Sequence, residues 1–143
     1  MSILSAKACA DQILTAVPLV MRELWTRVQL EAPVSVTWGQ FTLLSLLSER
    51  RFTLTELTRY WGVSKPSMSK MISTLMERGW IDREEDPKDR RRKPLDLSPT
   101  GRQVYEDVRE AARQDLMEAL EKLDGEQRAQ IVTALDLLAG ILA

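Results

Sequence analysis

A mainly α-helical fold carrying one small β-hairpin is predicted by three observations on this sequence. Apolar residues recur at spacings of three and four over most of its length. Helix start signals, a hydroxyl or Asp followed three residues later by Gln or Glu, or Ser next to Pro, punctuate those runs. One turn-prone stretch, "DPKDRRRKPLDLSPTG" at 86–101, interrupts the helical pattern. At 143 residues the chain has the size of one domain, which buries roughly 70% of its unfolded surface without staples.

The first thirty residues read as a helix. Ile13, Val17, Val20, Leu24 and Val28 form its stripe, widened by Leu14, Met21 and Trp25, and Pro18 predicts a kink or loosened turn. "EAPVSV" ends it, because Pro33 forces its predecessor out of helical geometry. Thr37 and Gln40 open a second helix with Phe41, Leu44 and Leu47 as its apolar set. Thr53 and Glu56 open a third, which Gly62 stops. Ser64 caps a fourth, with Pro66 tolerated in the first turn and Met68, Met71, Ile72, Leu75 and Met76 on one face. Leu57 and Val63 are expected between the third and fourth helices. Gly79 closes the fourth.

Trp80/Ile81 and Leu95/Leu97 flank the turn Asp86-Pro87-Lys88-Asp89 and read as two short strands. Ser98 and Pro99 then start a long helix with Val104, Val108, Ala111, Ala112, Leu116 and Leu120 on one face. Asp124 and Gln127 open the last helix. It is apolar around much of its circumference, with Ile131, Ala134, Leu135, Leu138, Ile141 and Leu142.

Composition narrows the function classes. Hydrophobic content of 44% and charged content of 29% are those of an ordinary globular chain. No apolar run approaches the roughly 20 residues that span a bilayer, and no signal-peptide pattern opens the chain. A single cysteine, Cys9, suits a reducing cytoplasm. The absence of histidine removes the commonest metal ligand and general base. No glycine-rich phosphate loop, G-x-S-x-G or C-x-x-C is present. The expectation is a cytoplasmic, non-enzymatic protein with no catalytic residues, metal or cofactor. Charge is uneven within a net of −1: residues 64–93 carry nine Lys/Arg against six Asp/Glu, whereas 94–143 carry five against ten. An anion-facing middle on an acidic scaffold is the simplest reading.

A short helix, a glycine turn and a second helix make a helix-turn-helix. Its second helix leaves Ser64, Lys65, Ser67, Ser69, Lys70 and Ser73 on the face opposite the apolar one. Small hydroxyls and lysines let a helix approach a groove closely while offering donors to phosphates and base edges. With the hairpin directly after it, the unit is a winged helix-turn-helix embedded in a helical dimerisation scaffold. The basic block becomes the wing tip, where Arg90, Arg91 and Arg92 reach DNA.

The stretch "LTELTRYWGVSKPSMSKMISTLMERGWIDREEDPKDRRRKPLDLSPTG" resembles the MarR (multiple antibiotic resistance regulator) family. Beyond the two helices it carries "L-x-x-x-G" (Leu75–Gly79), the wing signature "D-x-x-D-x-R" (Asp86–Arg91) and "L-[ST]-x-x-G" (Leu97–Gly101). Two departures are Thr58, where such motifs usually have alanine, and Pro18, inside a helix that should serve the dimer. The resemblance implies one MarR-like domain, with 1–35 and 99–143 forming the dimerisation part and 36–98 the DNA-binding part. It implies a homodimeric repressor on pseudo-palindromic duplex DNA, released by a small aromatic or phenolic effector.

By the same resemblance Asp89 braces Arg91, which enters the minor groove. Arg90 and Arg92 meet phosphates or the acidic neighbours Glu84, Glu85 and Asp86. Trp25, Trp38, Phe41 and Tyr60 are candidates for an effector pocket, with ordinary core packing preferred for any single one of them. One branch resembling the family senses peroxides through a cysteine in the first helix. Around Cys9 a buried, inert residue is the better expectation, since Lys7 is the only nearby cation. The competing function is a winged helix that binds another protein; an enzyme is the least supported.

Overall fold

The computed structural model describes residues 3–84, 87–89 and 91–143. Six helices and two strands follow in the order α1 (Ala6–Glu31), α2 (Trp38–Glu49), α3 (Leu54–Trp61), α4 (Lys65–Glu77), β1 (Ile81–Arg83), β2 (Leu95–Leu97), α5 (Pro99–Leu120) and α6 (Gly125–Leu142). The fold is therefore mainly α with a small antiparallel hairpin, as the periodicity requires.

The helix starts are set locally. The Thr37 and Asp124 side chains accept the amides of Gln40 and Gln127, whose side chains accept the cap amides in return. Thr53, Ser64 and Ser98 each accept the amide three residues on. Gly62, at φ 64°, ends α3 in the left-handed conformation that spares glycine a Cβ clash. Pro18 does not divide α1, which continues as one helix of 26 residues and packs along α5. The Thr58 hydroxyl donates to the Thr55 carbonyl at 2.8 Å, so its polar group is satisfied within α3.

One core joins the elements. Leu43, Leu44 and Leu47 of α2 meet Leu57 of α3, Met68, Ile72 and Leu75 of α4, Ile81, Leu95 and Leu97 of the hairpin, and Tyr105 and Val108 of α5. Ile81 pairs with Leu97, Asp82 with Asp96 and Arg83 with Leu95. Phe52, in the α2–α3 link, exchanges backbone hydrogen bonds with Leu95 at 3.3 and 2.7 Å, tying the hairpin to the helices.

Four positions differ from expectation. Val63 is 41% exposed because it lies in the turn itself, between the Gly62 C-cap and the Ser64 N-cap. Met76 is 39% exposed, since it follows the fully buried Leu75 and turns about 100° away from the core. Ser69, placed on the open face of α4, is half-buried. Cys9 is exposed rather than buried, because no other element of the chain covers the first two turns of α1. Helix α6 has no buried residue, and Ile131, Val132, Leu135, Leu137, Ile141 and Leu142 all face outward.

At the base of the wing the backbones come very close. The Ser98 amide donates to the Trp80 carbonyl at 3.0 Å, its hydroxyl donates to the Gly79 carbonyl, and the Gly101 amide donates to that hydroxyl at 2.9 Å. A Cβ on Gly101 would lie 1.9 Å from the Trp80 carbonyl oxygen and 2.7 Å from its carbon. Those atoms are backbone, so α5 itself would have to move. Gly101→Ala is expected to destabilise the fold by about 3 kcal/mol, the upper range for forcing an extra methyl into a packed interior. Chemical denaturation followed by circular dichroism checks it; a loss below about 0.5 kcal/mol, the range of an innocuous surface change, contradicts the contact.

Candidate nucleic-acid interface

Helix α4 enters the site through its cap. The Ser64 hydroxyl accepts the Ser67 amide at 3.3 Å and donates to the Ser67 hydroxyl at 2.9 Å, which leaves the Ser67 proton free to point outward. Ser64, Lys65, Ser67, Lys70 and Ser73 are exposed while Met68, Ile72 and Leu75 are buried on the other side. Among the described residues neither Lys65 nor Lys70 has an acidic partner within ion-pair distance. Their charge is therefore uncompensated locally.

The wing stands beside this face. The Asp89 carboxylate accepts the Arg91 backbone amide at 3.0 Å, and the Asp89 carbonyl accepts the Arg92 amide at 3.0 Å. Asp89 thus shapes the turn that carries Arg91, acting on its backbone rather than on the guanidinium. Arg91 and Arg92 are both exposed. Arg90, Glu85 and Asp86 lie outside the described residues. Arg92 turns to Glu56, with Nη2 at 3.3 Å from Oε1, whereas Glu84 pairs with Arg51 at 2.9 Å.

A depression of about 290 Å³ separates the wing from the helices. Its lining is Thr53, Leu54 and Thr55 at the start of α3, Lys65 at the start of α4, and Arg83, Arg91, Arg92 and Lys93 of the wing. Among the described residues, five cations and no carboxylate line it. Such a concavity concentrates positive potential and attracts a polyanion. Arg83 and Lys93 escaped the sequence reading. The signal was there in the hairpin pairing, which sets Arg83 opposite Leu95, two residues past Lys93.

Ion pairs orient the wing from below. Arg51 Nη1 meets Glu84 and its Nε meets Asp96 at 3.2 Å, offsetting the like-charge pair Asp82–Asp96 across the ladder. Arg50 Nη1 meets Glu56 Oε2 at 2.9 Å, with its guanidinium 3.7 Å over the Phe52 ring. The Arg50 hydrogen bond, with help from Thr53 and the charge of Arg92, holds the Glu56 carboxyl below the usual carboxylate range despite partial burial.

A second concavity lies between α1, α2 and α5. The rings of Trp25 and Trp38 meet edge-on at 5.5 Å, Trp38 and Phe41 lie 6.2 Å apart, and Phe41 reaches Tyr105 at 5.7 Å. Beside them opens a cleft of about 320 Å³ lined by Leu24, Arg27, Val28, Trp38, Phe41, Arg109, Ala112, Arg113 and Leu116. Tyr60 lies apart, against Phe52 at 6.2 Å, because it faces away from α5 on the outer side of α3. Arg109 and Arg113 were missed; with Tyr105 they recur every four residues along one face of α5.

Comparison with known proteins agrees with this arrangement. The model of the MarR family matches residues 34–92, from the approach to α2 through the wing. An uncharacterized HTH-type transcriptional regulator of Mycobacterium leprae is 30% identical over 112 residues, 78% of each chain. The crystal structure of RV1404 from Mycobacterium tuberculosis superposes with a TM-score of 0.82 at 26% identity, covering 98% of this chain and 95% of that one. The transcriptional repressor CouR, solved bound to a 23-mer DNA duplex, gives 0.73 at 25% identity, with 99% and 100% covered. This chain belongs to the MarR family of transcriptional regulators.

Proposed function

We propose that the chain is a cytoplasmic, homodimeric repressor that reads a pseudo-palindromic operator through α4 and grips the flanking minor groove with its wing. The observation that carries this reading is the Ser/Lys face of α4, without an acidic partner among the described residues, beside a depression whose described lining is five cations and the start of α3. CouR, of the same fold, was solved on duplex DNA. Ser67, Ser69, Lys70 and Ser73 are the base-edge candidates; Ser64 and Lys65 meet the backbone at the helix start, and Arg90 and Arg91 serve the wing. Residues 36–98 are the DNA-binding part, and 1–35 with 99–143 the dimerisation part. Among the described residues no helix is long and apolar enough to cross a membrane.

Dimerisation follows from the outward apolar residues of α6 and of the first fifteen residues of α1, Leu14, Val17, Leu19 and Val20 among them. A second copy is the cover that a two-fold axis provides, and stable dimers bury upwards of about 2,000 Å². The cleft of Trp38 and Phe41 has the ring faces and cations to hold a small aromatic or phenolic anion. Arg27 is tied to Asp115 at 2.7 Å and Arg113 to Glu110, while Arg109 has no ion-pair partner among the described residues. Selection of bound duplexes from a random pool, repeated with phenolic anions present, tests operator and effector together. No enriched sequence means that the DNA reading fails.

Sedimentation at micromolar concentration is expected to show a dimer and half-sites roughly 10 bp apart in the selected duplex; a stable folded monomer contradicts the two-fold arrangement. Lys70→Ala is expected to cost about 1–3 kcal/mol and to relax preference at one operator position. An equal loss on every duplex identifies Lys70 as a phosphate contact instead. Arg91→Ala is expected to weaken operator binding at least tenfold (about 1.4 kcal/mol) with no change in fold or dimer. Asp89→Ala is expected to weaken it too, although removing a negative charge near DNA favours binding by Coulomb attraction alone. Tighter binding by Asp89→Ala at moderate salt overturns the brace.

A further inference from the structure

We infer that Glu56 is a specificity-determining positioning residue: anchored by Arg50, it engages Arg92 and withholds that cation from the DNA backbone, so that Arg91 rather than Arg92 is presented from that turn. This deepens the proposed DNA reading and rests on it. Both carboxylate oxygens of Glu56 are occupied. Oε2 takes Arg50 Nη1 at 2.9 Å, and Oε1 takes Arg92 Nη2 at 3.3 Å and the Thr53 hydroxyl at 3.1 Å. Arg92 comes from the far arm of the wing, 36 positions along the chain. Arg92 and Arg91 are adjacent on one exposed turn, yet the Arg91 guanidinium has no ion-pair partner among the described residues.

Exposed ion pairs contribute little to stability, so this one matters through where it sends the side chain. A phosphate must displace the Glu56 carboxylate to gain Arg92, and the carboxyl is held ionised by its two arginines. An arginine that meets any phosphate strengthens binding to every duplex alike, which erodes discrimination. Glu56 prevents that and at the same time ties the wing to the start of α3.

The test uses the full chain, the selected operator and a scrambled duplex, with affinity measured across salt. Glu56→Gln keeps the backbone cap on Thr53, which runs through the Glu56 amide, but drops the charge. It is expected to tighten scrambled-duplex binding, to steepen the salt dependence by about one released ion, and to lower the operator-to-scrambled ratio about tenfold. In an Arg92→Ala background the same change is expected to alter the ratio less than about twofold, because the side chain it releases is gone. Arg92→Ala by itself is expected to leave the salt slope where it was.

An unchanged ratio in Glu56→Gln overturns the inference, as does an equal effect in both backgrounds, which marks Glu56 as a helix cap only. Should Glu56→Gln fail to fold, the Arg92→Ala slope decides: a fall of about one ion shows Arg92 already on phosphate and overturns the inference. If the unaltered chain does not distinguish the two duplexes, the DNA reading itself has failed.

Discussion

The approach of Gly101 to the Trp80 backbone is the constraint on which the rest of this molecule hangs. At that point α4 has just ended, the wing has left and returned, and α5 begins. A carbonyl of Trp80 accepts the Ser98 amide while the Ser98 hydroxyl both bonds the Gly79 carbonyl and caps α5. Only a residue without a Cβ admits α5 so close. The consequence is mechanical. The angle of α4 to the scaffold and the root of the wing are fixed by the same few backbone atoms, so neither moves independently of α5. The Arg78 guanidinium, 3.6 Å over the Trp80 ring, closes the junction from outside.

That junction makes the two concavities neighbours in a mechanical sense. The aromatic cleft is walled by α1, α2 and α5, and the cationic depression by α3, α4 and the wing. Helix α2 and Leu95 of the wing belong to one buried core with α5. A displacement between α2 and α5 therefore bears on elements that also carry the cationic depression. Well-packed interiors transmit such displacement because they have few voids to absorb it.

Electrostatics are equally local. A net charge of −1 hides a positive face, since among the described residues Glu56, Glu84 and Asp96 beside the wing are committed to internal pairs with Arg50, Arg51 and Arg92. Among the described residues of α4 and the wing, Lys65, Lys70, Arg83, Arg91 and Lys93 have no acidic partner within ion-pair distance, and all but Lys70 line one depression. The field that a duplex meets is set by which cations are unpaired, more than by how many the chain contains.

The sequence by itself determined everything governed by neighbours within a turn. Thr37–Gln40, Asp124–Gln127, Ser64 and Ser98 cap their helices through bonds three residues long, and Gly62 and Gly79 take positive φ because those turns demand it. The period of the apolar residues likewise fixed Leu44, Leu57, Ile72, Leu75 and Val108 as core. Tertiary structure alone decided the pairings between distant segments. Arg92 could have met any of several carboxylates by charge, and it is the docking of the wing against α3 that selects Glu56 over Glu84. Tyr60 has the ring for the aromatic cleft but faces Phe52, because its position on α3 turns it away from α5. Arg109 and Arg113 join Trp38 only once α5 lies against α2. Helix propensity and capping are written in adjacent residues, whereas the partner of a long, flexible, charged side chain depends on where other elements come to rest.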